Sequence, residues 1–400
     1  MRRNGGASMG PGDGAPIVVG AGPAGLSAAY ALARAGVRAR VIERSDRVCN
    51  SWRHHYESLE LNTSRFLSRL PGAPLGRRYG KWVPRDRFVE YVERYAERIG
   101  ADIEFDTTLL RVDRDGDGWL VETSRGTLRS PHVIIATGLN AVPYLPPWPG
   151  RDRFEGELIH ACEYRNAEPY RGRRLLLVGM GQTGSDLSVD LLGGGAAAVQ
   201  VSIRTPPIIL PRWGWVPMIA RVAKRLPPFD PAVDALGRML HRVLWGDMSR
   251  YGLPQPPRNR MLTSKESGAG RNGFDRGFGV TFEKGLLRAV KRGEAEFVPA
   301  VERFEGREVV LAGGRRVTPE VVIAATGRRT SLAPLVGHLG VLGPDQRPKV
   351  HGAHTAPSAA GLYFLGFRLP PGQLPDLRPD ARAIARSVAR DLRRRQAAVA

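Results

Sequence analysis

Two short stretches carry three glycines each at the same spacing, Gly20-Ala21-Gly22-Pro23-Ala24-Gly25 and Gly179-Met180-Gly181-Gln182-Thr183-Gly184. Each follows an apolar run, Ile17 to Val19 or Leu175 to Val178, and opens a segment with helical patterning. A turn of this kind lets the backbone pass close to a pyrophosphate, and the helix after it offers free amide groups and the positive end of its dipole. One such turn is weak evidence, because glycine serves tight turns of every sort. Two in matching context point to two dinucleotide sites.

The residue closing the next strand tells the sites apart. After the first turn the strand VRARVIE ends in Glu43, which can accept hydrogen bonds from a ribose diol, so this site suits a dinucleotide with a free 2′-hydroxyl. Arg44 follows it and joins the same site. After the second turn the strand AVQVSIR ends in Arg204, a cation where an acid would select the diol, which favours NADPH over NADH. In a chain so rich in arginine, a plain surface residue is the competing reading of Arg204.

These turns need a sheet behind them. Each half runs strand, glycine turn, helix, hairpin-rich stretch and a buried strand ending in Ala-Thr-Gly, HVIIATG at 132–138 and VVIAATG at 321–327. Thr137 and Thr326 thereby stand beside the turns as further cofactor contacts. The expected class is α/β, with two Rossmann-like dinucleotide-binding domains, the second inserted into the first. The first domain takes 15–150 and 328–400, and the second takes 151–327. Residues 1–14 read as a glycine-rich disordered tail. Phe88, Val92, Tyr95, Ala96 and Ile99 mark one amphipathic helix ended by Gly100. GLYFLGF at 361–367 reads as a strand returning to the first sheet, followed by a helix from about Asp380. The proline- and tryptophan-rich stretch 206–257 reads as a cap over a substrate pocket, with a membrane-surface helix as the alternative.

Composition narrows the class. The 400-residue chain has 42% hydrophobic and 25% charged residues, an ordinary globular balance. Its formal charge of +21 is carried almost wholly by scattered arginine, with lysine only at Lys81, Lys224, Lys265, Lys284, Lys291 and Lys349. Nucleic-acid binding, which concentrates charge on one face, is not expected. Attraction of NADPH and anionic substrates is a simpler use of the charge. Cys49 and Cys162 are far apart in sequence, which excludes a close redox dithiol and leaves no metal-site signature. No segment has the length of apolar residues needed to span a bilayer, so a cytoplasmic protein is expected.

Between the two halves lies Phe154-Glu155-Gly156 followed by His160 and Tyr164. This resembles the F-x-G-x-x-x-H-x-x-x-Y fingerprint of the flavin-containing monooxygenases. With both glycine turns, both Ala-Thr-Gly strands and GLYFLGF, the resemblance covers essentially 15–395. The segment from RTPPIILPRW through HRVLWGDMSRYG is most similar to the YUCCA-type branch and its bacterial relatives. The resemblance implies FAD in the first domain, NADPH in the second, and small organic substrate and O2 as partners. It implies that one oxygen atom reaches the substrate from a flavin 4a-hydroperoxide. It also implies that Trp52 contacts FAD, that Asn62 steadies the oxygen adduct, and that His160 shapes the hinge and nicotinamide site. From the residues alone, Asn62 reads as a turn cap and His160 as a buried linker residue. Gln182-Thr183 and Arg328 depart from the family pattern. Tyr164, where ketone-oxidising relatives carry tryptophan, tilts the expectation narrowly to nitrogen or sulfur oxygenation. Carbonyl oxidation or decarboxylation of YUCCA type, and uncoupled NADPH oxidation, stay open.

Overall fold

The computed structural model describes residues 14–213, 239, 241–253, 280–368 and 373–399. The expected tail lies outside these apart from Gly14, as do 214–238, 240 and 254–257 of the expected cap and most of its helical patterning.

Apolar β-branched runs buried on both faces form parallel strands, and two such sheets organise the chain. The first contains Ile17–Val19, Arg40–Ile42, Ile103–Glu104, Val133–Ile135 and Leu362–Phe364, with Ile17–Val19 in the centre. The second contains Glu157–His160, Arg174–Val178, Ala198–Ile203, Ala295–Pro299 and Val321–Ala324, with Arg174–Val178 in the centre. All strands of the second sheet fall between the fourth and fifth strands of the first. The second dinucleotide unit is therefore inserted into the first, and GLYFLGF does complete the first sheet, beside Val133–Ile135.

The helix Arg85–Ile99 buries Phe88, Val92, Tyr95 and Ala96, and Gly100 ends it at φ 57°. A positive φ at that position favours glycine. The last helix differs from expectation. It spans Gln373–Val399, not from about Asp380, and passes through Pro379. Proline reads as a boundary because it lacks an N–H. Here burial of Leu377, Ala381, Ile384 and Val388 in the first core offsets the missing bond.

The stretch expected as a cap also begins differently. Ile208–Pro211 is a strand paired in parallel with Val280–Glu283, and Thr281 Oγ1 donates to the carbonyl of Met180 in the second glycine turn at 3.0 Å. The pair covers the turn. Its partner strand lies some seventy residues downstream, so no local pattern announced it.

Candidate active site

The two turns have the same internal geometry. Gly20 has φ 104° and Gly179 φ 109°, conformations natural to glycine. A Cβ on either would also meet a backbone carbonyl, that of Ala136 at 2.9 Å or of Ala325 at 2.7 Å. Gly25 packs on the carbonyl of Gly20, and Gly184 on that of Gly179, with no space for a side chain. The middle glycines are different. Gly22 (φ −83°, ψ −176°) and Gly181 (φ −70°, ψ −178°) have extended backbone that any residue adopts, and nothing of the protein lies within 4 Å of a Cβ on either. The empty space at each helix N-terminus fits a phosphate group. Pro23 and Ala24 open the first helix, Gln182 and Thr183 the second.

At the first turn a cavity of about 330 Å³ is lined by Gly20, Gly22, Pro23, Ala24, Glu43, Arg44, Trp52 and Thr137. Glu43 is 9% exposed and its orientation is fixed. Oε2 accepts from the Ala21 amide at 2.7 Å, and Oε1 from the Ser45 hydroxyl at 2.8 Å. Oε1 also accepts from the Ser45 amide at 3.1 Å, so Oε2 keeps the free lone pair for a diol. Thr137 Oγ1 is buried without a hydrogen-bond partner, as a donor awaiting a ligand would be. Leu374 and Leu377 of the last helix, with Pro334 and Leu335, complete the wall. They escaped sequence reading because they lie more than three hundred residues beyond the glycine turn. The donors, the carboxylate and the free space fit FAD.

At the second turn Gln182 points sideways. Its Oε1 accepts from the Phe282 amide at 2.8 Å and its Nε2 donates to Asp186 at 2.7 Å. The departure from the family pattern thus ties the turn to the covering strand. Asp186 also accepts from Lys284 Nζ at 2.8 Å and from the Tyr56 hydroxyl at 2.8 Å. Burial pushes the Lys284 ammonium below its ordinary range, and Asp186 opposes that shift. Arg204 stands exposed just past the end of its strand. Thr326 donates its hydroxyl to the carbonyl of Tyr144 on the outgoing linker.

His160 is 3% exposed. Its Nδ1 accepts from the Cys162 amide at 3.1 Å, so Nε2 carries the proton and donates to the Gly327 carbonyl at 3.0 Å. The imidazole ties the end of the strand Glu157–His160 to Gly327, the residue after the strand Val321–Ala324 and its Ala-Thr pair. Tyr164 is fully buried, donates to Asp190 at 2.6 Å and stacks on Tyr170 at 5.5 Å. Trp52 packs on Phe88 at 4.6 Å between ring centroids. Asn62 Oδ1 is buried and without a partner, so a simple turn cap does not account for it. Cys49 and Cys162 are both free thiols.

His55 packs beside Trp52 and Tyr56. Burial, helped by the charges of Arg328, Arg165, Arg85 and His54, pushes its imidazole down to about 4 from 6.5. The folded state therefore holds His55 neutral where the unfolded chain takes up a proton. Its stability contribution is present above pH 6.5 and is lost as pH falls from 6.5 towards 4. Burial lowers His160 in the same direction. In urea unfolding at pH 7 and pH 5, His55→Gln is expected to show a smaller loss of stability on acidification than the parent. An equal loss contradicts the assignment.

Two dinucleotide units with matching glycine turns, one lined by a buried carboxylate and one covered by a strand pair, define a two-domain flavoprotein oxidoreductase. The chain belongs to the flavin monooxygenases. It is 30% identical over 362 residues to a probable indole-3-pyruvate monooxygenase of the YUCCA group from Arabidopsis thaliana, covering 88% of this chain and 84% of that one. It is also 30% identical over 358 residues to an indole-3-pyruvate monooxygenase from Oryza sativa subsp. japonica, covering 88% and 86%. The sequence profile of the pyridine nucleotide-disulphide oxidoreductase family matches residues 17–210. Among solved structures, a flavin-containing monooxygenase from Stenotrophomonas maltophilia superposes with a TM-score of 0.71 at 21% identity, over 95% of this chain and 99% of that one. An open cyclohexanone monooxygenase gives 0.70 at 17%, over 95% and 88%. FAD and NADPH are the cofactors of the chain. Among the described residues no helix is long and apolar enough to cross a membrane.

Proposed function

We propose that this monooxygenase transfers one atom of O2 to a nitrogen or sulfur atom of a small organic substrate. In this reading Gly20, Gly22, Gly25, Glu43, Arg44, Trp52 and Thr137 hold FAD, and Gly179, Gly181, Gly184, Thr326 and Arg204 hold NADPH. FAD held there would take a hydride from NADPH and pass the electrons to O2, the source of the transferred oxygen atom. The protein keeps water out and places Asn62 beside the reacting oxygen, where a preorganised amide stabilises developing charge.

The observation that carries the choice of acceptor is the charge balance around Asn62. Arg212, the cation reaching the neighbouring Leu61, is matched by Glu60 at 2.6 Å. A neutral amide beside a guanidinium already paired with a carboxylate favours an electrophilic oxygen donor, which a nitrogen or sulfur lone pair attacks. A carbonyl is instead attacked by an anionic oxygen, which a net cation would stabilise. Tyr164, committed to Asp190 and Tyr170, gives this preference no further support. The second reading, attack on a 2-oxo acid, is favoured by the relatives named indole-3-pyruvate monooxygenases. Turnover of a panel of amines, sulfides and 2-oxo acids, with products identified by mass spectrometry, tests it. N- or S-oxides are expected, and carbon dioxide release from a 2-oxo acid as the preferred reaction would reverse the choice.

Asn62→Ala is expected to raise the peroxide released per NADPH oxidised, through loss of about 1–3 kcal/mol of hydrogen-bond stabilisation, while anaerobic flavin reduction by NADPH changes little. Unchanged peroxide release removes Asn62 from the reacting pocket.

A further inference from the structure

Asn62 belongs in sequence to the FAD unit, yet the segment leading to it is docked along its length on the NADPH unit. Arg165 donates to the carbonyl of His54, the Glu57 amide donates to the carbonyl of Arg165 at 2.8 Å, and Tyr56 donates to Asp186. The last of these contacts along the segment is made by Arg212, which directly follows the strand Ile208–Pro211. Its Nη1 donates to Glu60 Oε2 at 2.6 Å and its Nη2 to the carbonyl of Leu61 at 3.0 Å. The guanidinium lies over the Trp82 ring at 4.4 Å, and the side chain is only 14% exposed. From the other side the same backbone is held by its own unit: the Leu61 amide donates to the Val83 carbonyl at 2.9 Å, and Glu60 bridges Pro84. Near this point the seam between the units opens into a cleft of about 410 Å³, with Ser58 and Glu60 on one wall and Asp186, Asp190 and Lys284 on the other. Tyr56 and Leu59 pack on the apolar core of the second unit beside this cleft, and polar clamps hold the backbone at Glu60 and Leu61.

We propose that Arg212 is a positioning residue for oxygen transfer: reaching across from the NADPH unit, it clamps Glu60 and the Leu61 backbone and so sets where the Asn62 amide stands. The planar fork suits this task, because it holds a carboxylate and a carbonyl in one plane with its face on an indole, and an ammonium cannot. Arg212 Nε is buried without a partner. A side chain kept for stability alone has no need to carry that cost, whereas one kept for two particular contacts does. Because Ile208–Pro211 also pairs with the strand that holds Gln182 at the second glycine turn, the clamp lies on the same strand pair that covers the NADPH diphosphate site. Asn62 is then placed for reaction only when the two units are in register.

The inference rests on the role proposed for Asn62, and the test separates the two. Holoenzymes carrying Arg212→Lys, Arg212→Met, the pair Glu60→Gln with Arg212→Met, Asn62→Ala, and Arg212→Met with Asn62→Ala are compared in peroxide released per NADPH oxidised and in the anaerobic rate of flavin reduction. The paired Glu60 and Arg212 change removes both charges at once, and carries the test where Arg212→Met alone leaves the Glu60 carboxylate without its partner and does not fold. Each Arg212 variant is expected to raise peroxide release by about threefold or more, towards the Asn62→Ala value, with reduction altered less than about twofold. Adding Arg212→Met to Asn62→Ala should raise it no further. If Asn62→Ala raises peroxide release and the Arg212 variants do not, or if the two changes add, the positioning role is overturned. If Asn62→Ala itself has no effect, the functional reading of Asn62 fails, and the inference with it. A side chain that merely supports the fold would lower reduction and thermal stability without moving the peroxide ratio.

Discussion

Gly22→Val is expected to yield a folded protein that purifies without flavin. The backbone at Gly22 is extended and nothing of the protein lies within 4 Å of a Cβ there, so the apo chain can accept the side chain without strain. The valine would instead fill the space at the helix N-terminus where a pyrophosphate must approach the backbone. Gly25→Val is the contrasting change. It drives a side chain into the Gly20 carbonyl, and should cost folding as well as flavin. Circular dichroism melts with flavin absorbance after reconstitution in excess FAD distinguish the two. A yellow Gly22→Val protein at parental occupancy would remove the first turn from the FAD site.

Arg204→Ala is expected to reduce the NADPH over NADH ratio of kcat/KM by roughly 10- to 150-fold, the equivalent of about 1.5–3 kcal/mol for a charge-assisted contact to the 2′-phosphate. The side chain is exposed, directly after the strand Ala198–Ile203, and Glu43 directly follows the matching strand of the first unit. Loss should appear with NADPH alone, since NADH has no phosphate at that position. A parallel fall with both dinucleotides would assign Arg204 to general electrostatic attraction by a strongly basic protein. No change with either would make it a surface arginine.

What could be read from sequence and what could not divide along contact range. The glycine turns, Glu43 and the Gly100 helix end are local devices, in which the side chain and the backbone it serves lie within a few residues, so spacing reveals them. The return of GLYFLGF to the first sheet was legible because a repeated order of parts implied a missing strand. The seam was not. Tyr56 meets Asp186 across 130 positions and Glu60 meets Arg212 across 152, and neither pair leaves a periodic trace. Gln182 could be recognised as a departure from the family, but its purpose appears only with Phe282, a hundred residues on. The last helix begins at Gln373 and not about Asp380, because the core that carries it through Pro379 is built largely in the opposite half of the chain, where local pattern gives no sign of it.

NADPH, through FAD, drives insertion of one oxygen atom from O2. The most direct measurement is turnover under ¹⁸O2 with FAD-loaded enzyme and an accepted substrate, following NADPH consumed and label in the product together. One labelled oxygen atom per product molecule, with NADPH consumption equal to product plus peroxide released, is the predicted result. Product oxygen that derives from water, or NADPH consumption matched entirely by peroxide with every substrate class, would contradict it.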